Sequence, residues 1–571
     1  MKLKRSITEL PNCLSSEIDL APPEGIVRIL RQADAQIFSG FLDLPGMFDT
    51  PNLDTMTALA HRLAKTIRSP RGVVVMSGAG TSGRLAMFVA RTFNAVFAST
   101  GRAPFRYLMA GGDAALVQAQ EGAEDDSTLS VRDLRDATAD ADDVFFIGIT
   151  CGMSAPYIAG QLEALVDRPD SHAVLLGFSP LELARDTVIE GYHATFRQIA
   201  AATAGSSNGT LLNPVVGPEP VTGSTRMKSG SATKILLEVL FHAARMILAG
   251  RDDVRARITA MMRDYEAAVR GTYLRIDDIA ALVSAGGDAL RAHGHIYYLG
   301  GAGEDPAGPF GLTADAGILG LVDASECPPT YGASFEDVRG FVGKGWLSLV
   351  GHTPDFVGRG THYHFSFDDF RKQKMDTLTA DDLVVFLGDF AGRDSLMRDV
   401  AAAGAKTAAV DWTPRTDTAA VPHIAVSLPI AFHEELGWGP LQLGVKLVIN
   451  ALTTAAHILA GKVYGNRMVD LRISNNKLFY RTVGIIADLI GVTTEEATEA
   501  LLRSVFETDA LTDAQRNAPV SECIERAKSV EKVVPKALLI ATGRFGVEQA
   551  AATLSANPIV RAAIEQFVQA K

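Results

Sequence analysis

Short apolar runs alternate with helical segments in two separate regions of this sequence, and that pattern restricts its fold more than any other feature. Strands that alternate with helices in this way predict a parallel sheet with right-handed crossovers. Helical patterning fills the stretch from Thr225 to about Leu290 and resumes after Gly437. The predicted strands lie at 72–80, 105–112, 143–150 and 172–180 in the first region, and at 295–303, 382–390, 406–412 and 423–429 in the second.

The order α/β, helices, α/β, helices indicates an internal duplication of one α/β unit. The chain has 571 residues, about three to four times a typical single domain, so several packed units are expected. No low-complexity linker separates the two halves, so we expect them to pack tightly. We predict an N-terminal helical segment, two α/β domains and a C-terminal helical cap, with limits at 1–70, 71–290, 291–490 and 491–571.

The charge balance excludes some classes of partner. The 66 Asp and Glu residues outnumber the 54 Lys and Arg residues, so the formal net charge is −12. Such an acidic chain is a poor candidate for binding nucleic acid or a membrane, although a local basic pocket can still hold a small phosphate. The four cysteines form no metal-binding pair, and the N-terminus lacks the apolar run of a signal peptide. We therefore expect a cytoplasmic protein with no metal, no cofactor, no nucleic-acid partner and no membrane partner.

A glycine-rich segment, GAGTSG (78–83), follows the first predicted strand and opens a helix. Glycines let the backbone approach an anion, and a helix N-terminus supplies free N–H donors and a positive dipole end. Gly80, Thr81 and Ser82 are therefore candidate phosphate-binding residues. The acidic residue that a dinucleotide-binding loop needs about 20 positions later is missing. A turn whose glycines serve only strand–helix packing is the open alternative.

Two further polar loops resemble the first in position. TCGMS (150–154) follows another predicted strand, and TGSTRMK (222–228) opens another helix. Three such loops that converge on one sheet edge are able to hold a phosphate monoester among neutral donors. Each loop alone is equally well explained as an ordinary helix N-cap. The candidate binding residues in these loops are Thr150, Gly152, Ser154, Thr225 and Arg226.

Four longer motifs resemble the sugar isomerase (SIS) domain family: GAGTSGRLA (78–86), EGAEDD (121–126), GPEPVTGSTRMKSGSATK (217–234) and DASECPPTYG (323–332). More narrowly, they are similar to N-acetylmuramic acid 6-phosphate etherases and glucokinase regulatory proteins, and the order of the pieces is closer to the regulatory proteins. The resemblance implies two flavodoxin-like SIS domains that pack as a pseudo-dimer, followed by an all-α cap. It also implies a sugar-phosphate ligand. Because the pseudo-dimer lies within one chain, we expect the protein to function as a monomer.

The resemblance assigns roles to individual residues. Glu121 and Glu124 match the family's acidic loop, and Glu124 stands at an etherase catalytic position. Glu326, in DASECPPTYG, stands at the other etherase glutamate. Lys477, in RISNNKLFYR (472–481), matches a lysine that reaches the ligand from the C-terminal part of the regulator. The residues that match the family's phosphate-binding hydroxyls are Thr81, Ser82, Thr150 and Ser154.

The two halves have diverged in sequence. The first half keeps the phosphate loop, but Thr92 stands where the DASECPP glutamate would be. The second half keeps Glu326, but its glycine loop, GAG (301–303), is interrupted by the sequence that follows. We therefore expect one composite site, in which the first half holds the phosphate and the second half supplies Glu326.

The main expectation for function is a lyase of the etherase type, which cleaves the D-lactyl ether by elimination and hydration. Two carboxylates in different environments can divide the acid and base work, so Glu326 and Glu124 are the expected catalytic pair, with Lys477 stabilising negative charge. The alternative is a non-catalytic sensor of fructose phosphates that inhibits a sugar kinase. A second alternative is a sugar-phosphate isomerase. The intact DASECPPTYG favours the lyase, whereas the two-domain layout and RISNNKLFYR favour the sensor.

Overall fold

The computed structural model describes residues 5–98, 101–117, 120, 122–188, 191–300, 338–412, 422–557 and 559–568. Within these ranges the chain forms two parallel five-stranded sheets and a C-terminal helical unit. Both faces of the first sheet are covered, because alternate residues of its first strand pack into two different hydrophobic clusters. This two-layered burial explains why the strand reads as an unbroken apolar run.

The first sheet follows the order β2-β1-β3-β4-β5, and every described strand pair in it is parallel. Its strands are β1 (Gly72–Gly78), β2 (Phe105–Met109), β3 (Asp143–Ile149), β4 (Ser171–Leu176) and β5 (Gly209–Leu212). The helices before and between them are α1 (Pro23–Ser39), α2 (Thr50–Arg68), α3 (Thr81–Val96), α4 (Ala114–Val117), α5 (Ser127–Ala137), α6 (Pro156–Val166) and α7 (Phe196–Gly205).

The second sheet follows the order β10-β9-β8-β6-β7 and is also parallel. Its strands are β6 (Ile296–Gly300), β7 (Val338–Val342), β8 (Leu383–Leu387), β9 (Lys406–Asp411) and β10 (Ile424–Ser427). When each half's strands are counted from its own first strand, both sheets have the flavodoxin-like order 2-1-3-4-5. The predicted internal duplication of an α/β unit is therefore confirmed.

Long helices join the two halves into one hydrophobic core, which contains residues of both sheets. They are α8 (Lys228–Leu248), α9 (Val254–Thr272), α10 (Ile276–Arg291) and α14 (Gly439–Leu459); the second half adds α11 (Trp346–Val350), α12 (Phe367–Gln373) and α13 (Arg393–Ala402). By length and composition alone, α14 is the one described helix apolar enough to cross a membrane. Because 94% of its most apolar window is buried inside the protein, its composition reflects a place in the core.

The C-terminal helical unit has its own hydrophobic cluster, which runs from Val469 to Ile564. A short hairpin, β11 (Val463–Tyr464) and β12 (Arg467–Met468), leads into it. Its helices are α15 (Asn476–Ile490), α16 (Thr494–Phe506), α17 (Asp513–Arg516), α18 (Val520–Ala527), α19 (Val533–Ala541), α20 (Val547–Ala556) and α21 (Val560–Val568). The all-α cap is thus confirmed as a fold element, and the exact domain limits stay predictions.

Candidate functional site

The carboxyl ends of the strands in the first sheet are aligned with one another. Gly78 pairs with Met109 on one side and Ile149 on the other, and Ile149 pairs with Leu176. The order of the strands reverses between β1 and β3, which is the point where ligands bind in open α/β sheets. The loop after β1 and the loop after β3 flank this point, and Ser82 Oγ lies 3.7 Å from Cys151 Sγ across it.

The glycines of the loop after β1 serve two different purposes. A Cβ on Gly83 would lie 2.1 Å from Met109 Sδ and 2.6 Å from the Gly78 carbonyl oxygen, so Gly83 permits the close strand–helix approach. Gly80, by contrast, has φ +55° and open space around the position of a Cβ. It turns the chain so that the N-terminus of α3 faces a cavity. The packing alternative therefore explains Gly83 but not Gly80.

Two adjoining cavities lie at this edge of the sheet. The loop cavity, of about 230 Å³, is lined by the loop after β1, the loop before α8 and the start of α15. The side cavity, of about 620 Å³, is lined by the loop after β3, the N-terminal segment and one side of α15. The residues that line both cavities are Ala79, Ser82, Glu124, Thr225, Lys477 and Arg481.

The described residues that the sequence singled out all line one cavity or the other. Glu121, Glu326 and the glycine loop 301–303 lie outside the described residues, so their predicted roles, and the predicted composite site, stay predictions. Thr150 also caps the turn that follows it, because its Oγ1 accepts hydrogen bonds from the N–H groups of Ser154 and Ala155 at 3.2 and 3.4 Å. Gly80, Thr81 and Arg226 line the loop cavity; Thr150, Gly152 and Ser154 line the side cavity; Ser82, Glu124, Thr225 and Lys477 line both.

Lys477 joins the C-terminal helical unit to the acidic loop of the first half. Its Nζ lies 3.2 and 3.3 Å from the two carboxylate oxygens of Glu124. One residue earlier, the Asn476 N–H donates to Asp125 Oδ2 at 3.2 Å, so two carboxylates lie at the N-terminus of α15, where the helix dipole favours them. Burial by itself lowers the pKa of Lys477, but the charge and hydrogen bond of Glu124, together with the charge of Glu9, outweigh it and raise that pKa overall. The ammonium therefore stays protonated near the loop after β1, with which it lines the loop cavity.

Arg481, one turn further along α15, fixes the loop before α8. It donates to both carboxylate oxygens of Glu9 at 2.9 and 2.7 Å. Burial raises the pKa of Glu9, but the Arg481 charge and hydrogen bond, together with the charges of Lys477 and Arg5, outweigh it and lower that pKa overall. Gly223 has φ +77°, and a Cβ there would lie 2.4 Å from the Arg481 guanidinium. The N–H of Gly223 donates to the Thr8 carbonyl at 3.0 Å, so the N-terminal segment, this loop and α15 form one contact.

Glu219, upstream of the same loop, is fully buried and works as a cap of α8. Its carboxylate accepts from the N–H groups of Lys228 and Ser229, each at 2.9 Å. Burial raises the pKa of Glu219 despite the nearby Lys228 charge. Glu219 therefore holds the loop in place and does not face the cavities.

Sequence reasoning did not single out Arg481 or Glu9 as site residues. Arg481 is the last residue of the RISNNKLFYR motif, so that motif could have identified it as a site residue. Glu9 lies 472 residues away in a segment without a recognisable motif. Among the described residues, no group of three or more His, Cys, Asp or Glu side chains is close enough together to hold a metal ion.

Family models match three successive parts of the chain. The N-terminal SIS domain of glucokinase regulatory protein matches residues 58–166. The second SIS domain of glucokinase regulatory protein matches residues 273–460, and the C-terminal lid domain of that protein matches residues 465–564. The three models follow the order of the two sheets and the C-terminal helical unit.

Comparison with individual proteins gives matches of very different extent. The C-terminal domain of glucosamine-fructose-6-phosphate aminotransferase from Francisella tularensis has a TM-score of 0.42 at 8% identity, over 76% of this chain and 97% of that domain. The N-acetylmuramic acid 6-phosphate etherase of Clostridium beijerinckii is 34% identical over 198 residues, which are 34% of this chain and 63% of the etherase. The glucokinase regulatory protein of Xenopus laevis is 34% identical over 586 residues, which cover 98% of this chain and 92% of that protein. Since this last match extends along nearly the whole of both proteins, the chain belongs to the glucokinase regulatory protein family.

Proposed function

We propose that this chain is a sensor that binds a sugar phosphate and inhibits a sugar kinase without converting its ligand. The observation that carries the proposal is the contact between Lys477 of the C-terminal helical unit and Glu124 of the first SIS domain. Both side chains line both cavities, so a ligand there meets groups from two separately packed units. Ligand binding then sets how these units sit against each other, which is what a sensor needs.

The lining of the cavities suits a phosphate monoester. The N-terminus of α3 supplies backbone donors and a positive dipole end, and the hydroxyls of Ser82 and Ser154 add neutral donors. The protonated Lys477 supplies a positive charge. The Glu124 carboxylate is an acceptor for sugar hydroxyl groups. These features support a sugar phosphate as the ligand.

The sensor fits Glu124 better than the lyase that the sequence favoured. The expected catalytic role requires a carboxyl group that exchanges a proton with the sugar. Both oxygens of Glu124 instead accept hydrogen bonds from Lys477, so the carboxylate is compensated by a neighbouring cation. The partial match to the etherase, against the nearly complete match to the regulatory protein, supports the same choice.

The lyase is the second candidate function, because Glu124 stands at an etherase catalytic position beside Ser82 in both cavities. A single pair of assays separates the candidates. The sensor predicts that the protein inhibits a glucokinase in a manner that depends on fructose 6-phosphate, and that it releases no lactate from N-acetylmuramic acid 6-phosphate. Lactate release at an enzymatic rate would overturn the sensor and support the lyase.

A matched pair of variants tests the role of Lys477 in the sensor. Lys477→Met should remove the dependence of inhibition on fructose 6-phosphate, because the link between the units is lost. Lys536→Met is the control, since Lys536 lies in the same helical unit and pairs with Glu507 at 3.3 Å away from the cavities. Equal effects of the two changes would show that the C-terminal helical unit responds only to general destabilisation.

A further inference from the structure

Two buried lysines connect the two halves across their packed boundary, here called the seam, and they extend in opposite directions. Lys234 of α8 reaches the start of α14, where its Nζ lies 3.0 Å from Gln442 Oε1. Lys446 of α14 reaches the start of α8 and donates to the carbonyl oxygens of Arg226 and Met227 at 2.8 and 3.3 Å. This reciprocal arrangement is the mark of a two-fold interface within one chain.

Lys446 meets several hydrogen-bond acceptors among the described residues. Besides the two carbonyls, its Nζ lies 3.3 Å from Ser231 Oγ, so an ammonium with three N–H donors has acceptors on both the loop and α8. The side chain is 1% exposed. A buried ammonium leaves these carbonyls only at a large cost in free energy, so it holds the backbone on which they lie.

That backbone belongs to the loop that lines the loop cavity. Thr225 and Arg226 face the cavity on one side of the loop, and the Arg226 carbonyl meets Lys446 on the other. Only a thin layer of protein separates Thr81, which lines the loop cavity, from Lys446. A Cβ placed on Gly230 would lie 3.4 Å from Thr81 Cγ2 and 3.5 Å from Lys446 Nζ. A displacement of Lys446 is therefore passed directly to the groups around the phosphate loop.

We propose that Lys446 is a positioning residue for the ligand: by holding the carbonyls of Arg226 and Met227, it makes the affinity of the first half's site depend on the second half. The proposal deepens the sensor function and rests on it for the identity of the ligand. Lys234 provides the internal comparison. It is similarly buried, at 2% exposure, but its contacts are Gln442 and Glu238, which lie away from the cavities.

The test compares Lys446→Met with Lys234→Met. Titration calorimetry with fructose 6-phosphate and with N-acetylmuramic acid 6-phosphate measures affinity, and denaturant unfolding measures stability. Both variants should lose stability to a similar degree. Lys446→Met should also bind about 10- to 100-fold more weakly, the size expected for lost hydrogen bonds to a charged group, whereas Lys234→Met should bind as the wild type does. Equal affinities in the two variants would overturn the proposal.

A second measurement needs no ligand. Hydrogen exchange of the amides in residues 222–227, without any sugar phosphate, should be faster in Lys446→Met and unchanged in Lys234→Met. If the wild type binds neither sugar phosphate, the proposed sensor function fails, and this exchange difference alone supports or overturns the positioning role. Should Lys446→Met not fold, Lys446→Gln retains an N–H donor and should show the same faster exchange in weaker form. Unchanged exchange in that variant would contradict the proposal.

Discussion

The two SIS domains share one strand order but end their strands in different chemistry. After β3 the first domain places Thr150 and Ser154 at the carboxyl edge, whereas after β8 the second domain has Gly388 and the exposed Asp389. A carboxylate at this edge repels a phosphate, because both are negatively charged. Hydroxyl groups at the same edge can donate hydrogen bonds to a phosphate. Duplication has therefore preserved the scaffold, while the side chains in these loops have diverged between the halves.

The loops before the two long helices differ in the same way. The loop before α8 carries hydroxyl groups and faces the loop cavity. The corresponding loop before α14 presents Phe432 and Trp438, whose rings lie 5.3 Å apart, and Phe432 is 58% exposed. The first loop presents hydroxyl groups to a cavity, whereas the second exposes an aromatic ring beside His433, Glu434 and Glu435, so the two loops differ in chemistry.

The largest expected effect comes from making the first domain resemble the second at this edge. Ser154→Asp places a carboxylate in the side cavity, where it repels a phosphate by about 3–4 kcal/mol at a separation of about 5 Å and an effective dielectric constant of about 20. Binding of fructose 6-phosphate should weaken about 100- to 1,000-fold by calorimetry. The fold should persist, because the new carboxylate would lie just before α6, where the helix dipole favours a negative charge.

Asp389→Asn is the matched control in the second domain. It removes a carboxylate from the equivalent edge and should leave affinity and stoichiometry unchanged, with one sugar phosphate bound per chain. A second binding event in this variant would show that the negative charge of Asp389 alone prevents the second domain from binding a sugar phosphate.

The next test concerns the seam between the halves, where two buried acidic side chains have different partners. Glu238 pairs directly with Lys234 and accepts from Tyr265, whereas Asp34 accepts from Tyr273 and has the Lys446 charge near it without an ion pair. Burial raises the pKa of Asp34 to about 6. Glu238→Gln should therefore destabilise the protein by about 3 kcal/mol, since it leaves a buried lysine without its counter-charge.

Asp34→Asn should act in the opposite direction. The folded pKa lies above the unfolded value, so the carboxyl stabilises the fold when protonated and loses that contribution as the pH rises through about 6. Above pH 7 the neutral Asn should be more stable than Asp by about 1–3 kcal/mol, and the gap should close towards pH 4. Denaturant unfolding at several pH values measures the gap; a gap that is constant with pH would contradict the assignment.

The sequence predicted the central strands because these are apolar and end in glycine or a hydroxyl residue. It did not predict β5 or β7, which are edge strands of their sheets. β5 is short and half-exposed, so its sequence, GTLL, carries no clear periodicity. β7 contains Arg339, whose guanidinium is buried and donates to the Thr361 and His364 carbonyls at 2.9 Å. A charged residue that is satisfied by tertiary contacts conceals a strand from any local pattern.

The candidate site was predictable where its residues follow strands and open helices, as at Ser82 and Thr150. The position of Lys477 came from a motif, since no periodicity relates it to Glu124, 353 residues away. The same separation explains why Glu9 was missed as a partner of Arg481. Contacts between an N-terminal segment and a C-terminal unit depend on the assembled fold, and local sequence does not record them.

The next prediction separates the two purposes of the glycines after β1. Gly83→Ala should destabilise the protein by about 2 kcal/mol, because the methyl group overlaps Met109 and the Gly78 carbonyl. Gly80→Ala meets no atom but must keep φ +55° and ψ −130°, a conformation outside the left-handed α region that costs about 1–3 kcal/mol, and it should weaken the binding of fructose 6-phosphate. Thermal unfolding and calorimetry together distinguish a packing defect from a binding defect. Equal stability losses without a difference in affinity would mean that both glycines serve packing alone.

The smallest expected effect concerns the link between the first domain and the C-terminal helical unit. Lys477 and Glu124 are 35% and 21% exposed, so solvent screens their attraction and the pair should contribute about 0.5–1 kcal/mol to stability. A double-mutant cycle of Lys477→Met and Glu124→Gln, read by denaturant unfolding, measures this coupling. The surface pair Arg28 and Glu24 provides the baseline, with both side chains about half exposed and an expected coupling of about 0.3–0.5 kcal/mol. A sensor requires a weak link, because a bound phosphate has to compete with Glu124 for Lys477 at moderate cost. A coupling several times larger would mean that the two units are locked together, and ligand binding at this site would then be unable to shift them.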